Sequence, residues 1–140
     1  MTRQTFFAII LVVGVSLAGC GGSSGGSSGS TANNGAEFVG SWNMLTERGR
    51  TPAENGYNSL ILELTQTTLR STIDSPTFNC AWSGDLSYTS STITVAVTQG
   101  EGMCAAAVGS TRNAAWSVSG NLLTLDWEGA NGQLQVYERM

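Results

Sequence analysis

The chain has 140 residues, with ten acidic side chains against six arginines and neither lysine nor histidine, a formal charge of −4. That balance lacks the basic footprint a nucleic-acid backbone requires. Without histidine there is no Ser-His-Asp or Cys-His catalysis and no His-ligated zinc. The length allows one domain with a core of its own.

Residues 1–19 read as a signal peptide. Arg3 supplies the positive first region, Phe6 to Leu17 carries no charge, and Ala18 and Gly19 close the run with small residues. Twelve residues rise about 18 Å as a helix, short of the ~30 Å hydrocarbon layer, so the run does not span a membrane. Leu17-Ala18-Gly19-Cys20 resembles the lipobox of bacterial lipoproteins residue for residue. The resemblance implies cleavage before Cys20, a thioether-linked diacylglycerol on its sulfur and an acyl group on the new amino terminus. Such multiple acylation would hold the protein stably at a membrane, which is its expected partner. Gly21 stands where lipoproteins retained in the inner membrane often carry Asp. By that analogy the address is the outer membrane of a Gram-negative envelope. Without Arg3, five arginines face ten acids in the mature chain.

Residues 20–35 join the lipidated cysteine to a Gly/Ser-rich stretch, GGSSGGSSGSTANNG, with no large apolar side chain. It reads as a flexible tether with a reach on the order of 20 Å.

Residues 36–140 form the folded domain. From Phe38 onward the apolar period is two rather than 3.6. Phe38, Gly40, Trp42 and Met44 share a face, followed by Leu60, Leu62 and Leu64, and then by Leu69 and Ile73. Phe78, Cys80, Trp82, Leu86 and Tyr88 make the longest stripe. Ile93, Val95 and Val97 come next, then Ala114, Trp116 and Val118, then Leu123, Leu125 and Trp127, and Leu134 with Val136 at the end. Asn55-Gly56, Ser119-Gly120-Asn121 and Asn131-Gly132 supply turn chemistry. Ser87–Val95 and Ser117–Leu125 repeat one strand–turn–strand pattern, as two hairpins of a meander. Ala105-Ala106-Ala107-Val108 is the single short helical candidate. The expected fold is all-β: an eight-stranded antiparallel up-and-down barrel, closed because closure removes unpaired edges.

The opening Phe38-Val39-Gly40-Ser41-Trp42 and the closing Leu134-Gln-Val-Tyr-Glu-Arg139 resemble small bacterial lipocalin-like domains. That resemblance implies that Trp42 plugs one barrel end under Arg139, as a cation–π pair. A body of 105 residues is short for that family, leaving little room for a deep cavity.

Cys80 and Cys104 remain after lipidation. An even pair in an exported domain reads as one disulfide worth ~3 kcal/mol, the alternative being two buried free thiols. Two distant cysteines without histidine make no metal site, and nothing calls for a cofactor. Asp126 and Glu128 share a strand face opposite Leu125 and Trp127, the solvated side, so the chain is not read as an enzyme. Two long loops, 46–56 with Arg48 and Arg50 and 98–111 with Cys104, read as solvated connectors or, as loops on a rigid barrel, as places where binding would sit.

Two functional classes follow. One is a monomeric barrel that binds a small apolar ligand or lipid, lined by Trp42, Leu62, Trp82, Tyr88 and Trp116, the alternative being that the tryptophans simply fill the core. The other is a protein-interaction module, such as an envelope inhibitor of proteases or lysozymes, or a purely structural envelope lipoprotein. The stretch from Cys104 to Tyr137-Glu-Arg139 is similar in spacing to periplasmic metalloprotease-inhibitor barrels. Those place their first cysteine soon after Gly-x-Trp, whereas Cys80 lies far downstream.

Overall fold

The computed structural model describes residues 35–129 and 133–140. The leader, Cys20, all of the tether except Gly35, and the Asn131-Gly132 turn lie outside these residues.

Eight strands follow one another around a closed antiparallel barrel. They are β1 Gly40–Glu47, β2 Ser59–Leu64, β3 Thr68–Asp74, β4 Asn79–Tyr88, β5 Thr92–Gly102, β6 Thr111–Ser119, β7 Leu122–Trp127 and β8 Gln133–Arg139. β1 pairs with both β2 and β8, so no strand edge is left open. The alternation dictates which face is buried. Leu60, Leu62 and Leu64 on β2, Ile93, Val95 and Val97 on β5, and Leu123, Leu125 and Trp127 on β7 all point inward. Asp126 and Glu128 are exposed on the outside. The Ala105 segment is not an α-helix but part of a 3₁₀ turn, Met103–Ala107.

The two barrel ends differ because their connections differ. At one end three tight hairpins join the strands. Thr65 Oγ1 accepts the Thr67 and Thr68 backbone N–H groups, at 3.2 and 2.9 Å. Thr89 Oγ1 does the same for Ser91 and Thr92, at 3.3 and 3.0 Å. Each threonine thus holds its turn through its own side chain. At the other end the connections are long. The 48–58 loop carries a 3₁₀ turn, Ala53–Asn55, closed by Gly56 in the left-handed region. Thr51 and Glu54 hold that turn reciprocally, as a capping box does.

Two bulges re-aim side chains. On β1, Met44 pairs with Tyr137 and Thr46 with Val136, leaving Leu45 as the extra residue. The shift turns Glu47, not Thr46, toward the interior, where it is 8% exposed. On β5, Thr98 is the extra residue, so Gly100 and Gly102 come opposite Trp82 and Cys80. A side chain at Gly102, with φ 59°, would collide with the Asn79 carbonyl oxygen. The bare face of β5 leaves space for the Met103–Ala107 turn.

β8 departs from the sequence expectation. Gln135 and Tyr137 are buried, whereas Leu134 is 48% exposed. In this phase the Tyr137 ring fills the interior, and Arg139, on the same face, packs over Trp42 of β1.

Candidate functional site

The hairpin end is plugged. Trp42 is fully buried, and its Nε1–H donates to the Phe38 carbonyl at 2.8 Å. Phe38 stands edge-on to both Tyr88 and Trp116, each with ring centroids 5.0 Å apart. Trp116 Nε1–H donates to the Thr89 carbonyl at 3.0 Å, fixing its ring at this end. The Arg139 guanidinium carbon lies 4.2 Å from the centre of the Trp42 ring. Its Nη1 donates to the Val39 carbonyl at 2.9 Å and its Nη2 to the Glu37 carbonyl at 2.6 Å.

The opposite end is open. A cavity of about 180 Å³ enters the barrel there. Leu60, Leu62, Ser71 and Ile73 from β2 and β3 make one wall, and Trp82 and Trp127 contribute indoles at 6.2 Å, inclined at 72°. Tyr57, Cys104, Arg112 and Gln133 also line it. Tyr57 is braced edge-on against Phe78, with centroids 6.1 Å apart. The Arg112 guanidinium lies 5.1 Å from the Trp82 ring centre.

A buried polar chain runs along this cavity. Trp127 Nε1–H and the Tyr137 hydroxyl both donate to Gln135 Oε1, at 2.8 and 2.7 Å. Gln135 Nε2–H in turn donates to Glu47 Oε1 at 2.8 Å. One amide thus consumes two donors with its oxygen and offers its nitrogen to a carboxylate, which accounts for a glutamine inside an otherwise apolar barrel. Burial pushes the Tyr137 phenol far above its usual range, and the Glu47 charge pushes it further. Tyr57 is raised for the same two reasons, with Arg48 acting in the opposite direction.

No protein-family model, curated protein or solved structure matches this chain.

Of the five residues expected to line a ligand site, the structure brings Leu62 and Trp82 to the cavity. It sets Trp42, Tyr88 and Trp116 together around the plug at the other end. Cys80 and Cys104 form the disulfide, with Cα atoms 5.0 Å apart, and it ties the Met103–Ala107 turn to β4 beside the cavity mouth. Cys20 lies outside the described residues. Glu47, Arg112, Gln135 and Tyr137 were missed as site residues. The signal for Gln135 and Tyr137 was present: they share the parity of Arg139, already expected to pack on Trp42. Among the described residues no group of three or more His, Cys, Asp or Glu side chains could hold a metal ion.

Proposed function

We propose that this chain is a lipid-anchored envelope protein, held by acylated Cys20, whose barrel binds a small molecule in the cavity at its open end. Binding rather than catalysis is the reading. The observation that carries it is the buried chain from Trp127 and Tyr137 through Gln135 to Glu47, set along an open cavity between two indoles. Buried polar groups converging on a void are the usual mark of a ligand site, since an unfilled barrel interior would be simpler to pack with aliphatic side chains.

The ligand expected from sequence, a small apolar molecule or lipid, is narrowed by the lining. A cavity of about 180 Å³ lies below the roughly 300–1,000 Å³ of drug-sized ligand sites and is too small for a long acyl chain. A compact amphipathic molecule fits better. The outer-membrane address and the lipocalin-like affiliation rest on the sequence motifs and belong to the proposal.

Two measurements test it. Intact mass of the protein extracted from membranes should lack residues 1–19 and carry diacylglycerol and acyl mass on Cys20. Native mass spectrometry of the same material should show an adduct of small-molecule mass. A retained leader would reject the anchor, and repeatedly empty spectra would count against the ligand.

The second reading, a protein-interaction module, draws on Met103 and Val108, which are 71% and 49% exposed on and beside the 3₁₀ turn. Two side chains make a small patch beside those that mark interaction surfaces, so this reading stands second.

A further inference from the structure

Glu47 is 8% exposed, and its carboxylate accepts the Gln135 amide at one oxygen. Among the described residues the ion pair within 4.0 Å is Arg70–Glu63, on the outer surface, and none involves Glu47. A carboxylate set this deep without a cation is costly unless something else neutralises it. The β1 bulge puts it there, so the placement belongs to the backbone and is not a side chain's stray rotamer. The rings of Trp127 and Tyr137 line the cavity it shares, beside Trp82, whose ring lies under Arg112. Aromatic rings beside a carboxylate suit a cation, best one too bulky to be strongly hydrated. The cavity's other charge is of opposite sign: Arg112, exposed over Trp82 at the mouth, with no acidic partner among the described residues.

We propose that the cavity takes a small zwitterion, its organic ammonium group against Glu47 beside Trp127 and Tyr137, and its anionic end at Arg112 over Trp82. This rests on the small-ligand reading above and names the ligand's chemistry. Each charge of the guest meets a charge of the barrel that lacks an ion-pair partner, while its carbon body fills the space between the indoles. The buried acid and the rim arginine thereby serve one guest, which neither an acyl chain nor a neutral aromatic molecule would require.

Four probes of one shape separate the contributions: glycine betaine, with both charges; choline, with the cation alone; 3,3-dimethylbutanoate, with the anion alone; and 3,3-dimethylbutanol, with neither. Each is titrated into the full chain in non-ionic detergent, followed by calorimetry and tryptophan fluorescence. Glycine betaine should bind tightest, at least about tenfold above 3,3-dimethylbutanoate. Glu47→Gln, which keeps the side-chain shape and an acceptor for Gln135, should abolish the advantage of the cationic probes. Arg112→Gln should abolish that of glycine betaine over choline and leave choline unchanged. Binding of 3,3-dimethylbutanol or 3,3-dimethylbutanoate as tightly as glycine betaine would overturn the zwitterion proposal while the small-ligand reading stood. Unchanged affinities in Glu47→Gln would overturn it as well. Binding of none of the four would also overturn it, and the native mass spectra then decide the small-ligand reading by themselves.

Discussion

The guanidinium of Arg139, the last residue of β8, lies 4.2 Å over the ring of Trp42, near the start of β1. It closes the barrel seam and also fastens the entering chain, through its bonds to the Val39 and Glu37 carbonyls. Gly40, with φ 142°, keeps the path clear: a side chain there would stand 2.8 Å from Arg139 Nη1. Arg139→Ala should cost about 1–2 kcal/mol, and Arg139→Lys nearly as much, because an ammonium cannot span two carbonyls while lying flat on an indole. Urea unfolding measures both. A lysine variant as stable as the parent would show that charge alone suffices.

Gln135 carries a heavier share of the open end. Replacing it by leucine preserves bulk but strands the Trp127 N–H, the Tyr137 hydroxyl and the Glu47 carboxylate in one step. A loss of about 2–4 kcal/mol is expected in urea unfolding, more than an ordinary hydrogen bond contributes. Adding Tyr137→Phe should cost less in the leucine background than in the parent, since its donor has already lost its acceptor. Strict additivity of the two changes would mean that the chain is not one unit.

The barrel was legible because its strands are short, alternating and separated by turn residues, and Leu60-Leu62-Leu64 or Leu123-Leu125-Trp127 can hardly face any other way. The open-end site was not. The Leu45 bulge leaves no mark in the sequence, so Glu47 reads as part of the charged 46–56 loop, whereas β1 runs on through the bulge to Glu47. On β8 the aliphatic pair Leu134 and Val136 outvotes Gln135 when hydropathy is read residue by residue. The structure takes the other phase: the Tyr137 ring is buried, Gln135 satisfies its hydroxyl, and Arg139 on the same face packs over Trp42. Arg112 carries no signal of its own in the sequence because its role depends on Trp82, thirty positions away and two strands over by way of β5. The lipocalin-like resemblance assigned Trp42 to the plug, but nothing in the sequence told Trp116, which joins that plug, from Trp82 and Trp127, which line the cavity.

Stability should fall on the alkaline side through Tyr137. Its folded-state pKa is raised by burial and by Glu47. The contribution is therefore whole below the unfolded tyrosine value of about 10. Above it the unfolded chain releases a proton that the folded chain keeps, so stability declines as pH rises, by up to about 1.4 kcal/mol per pH unit. Tyr57 adds a weaker slope of the same sign. Urea midpoints between about pH 9 and pH 11 should drop more steeply for the parent than for Tyr137→Phe, which has no proton to lose there. Parallel slopes would place the alkaline sensitivity elsewhere.

The disulfide should matter in two separable ways. Cys80 and Cys104 are 24 residues apart, and a loop of that length predicts a loss of about 3–4 kcal/mol when the bridge is removed. Locally, Cys104 pins a turn otherwise held by few bonds, among them Val108 N–H to the Ala105 carbonyl at 3.3 Å and Gly109 N–H to the Val97 carbonyl at 2.9 Å. In a Cys80→Ser/Cys104→Ser variant, hydrogen exchange should speed up first at Val108 and Gly109, under conditions where Leu62 and Leu125 in the barrel wall still exchange slowly. The turn stands beside Trp82 and the cavity mouth, so quenching of tryptophan fluorescence by acrylamide should rise with it. Uniform loss of protection across all eight strands would instead show that the bridge acts on the whole barrel through the unfolded chain, and not on the mouth in particular.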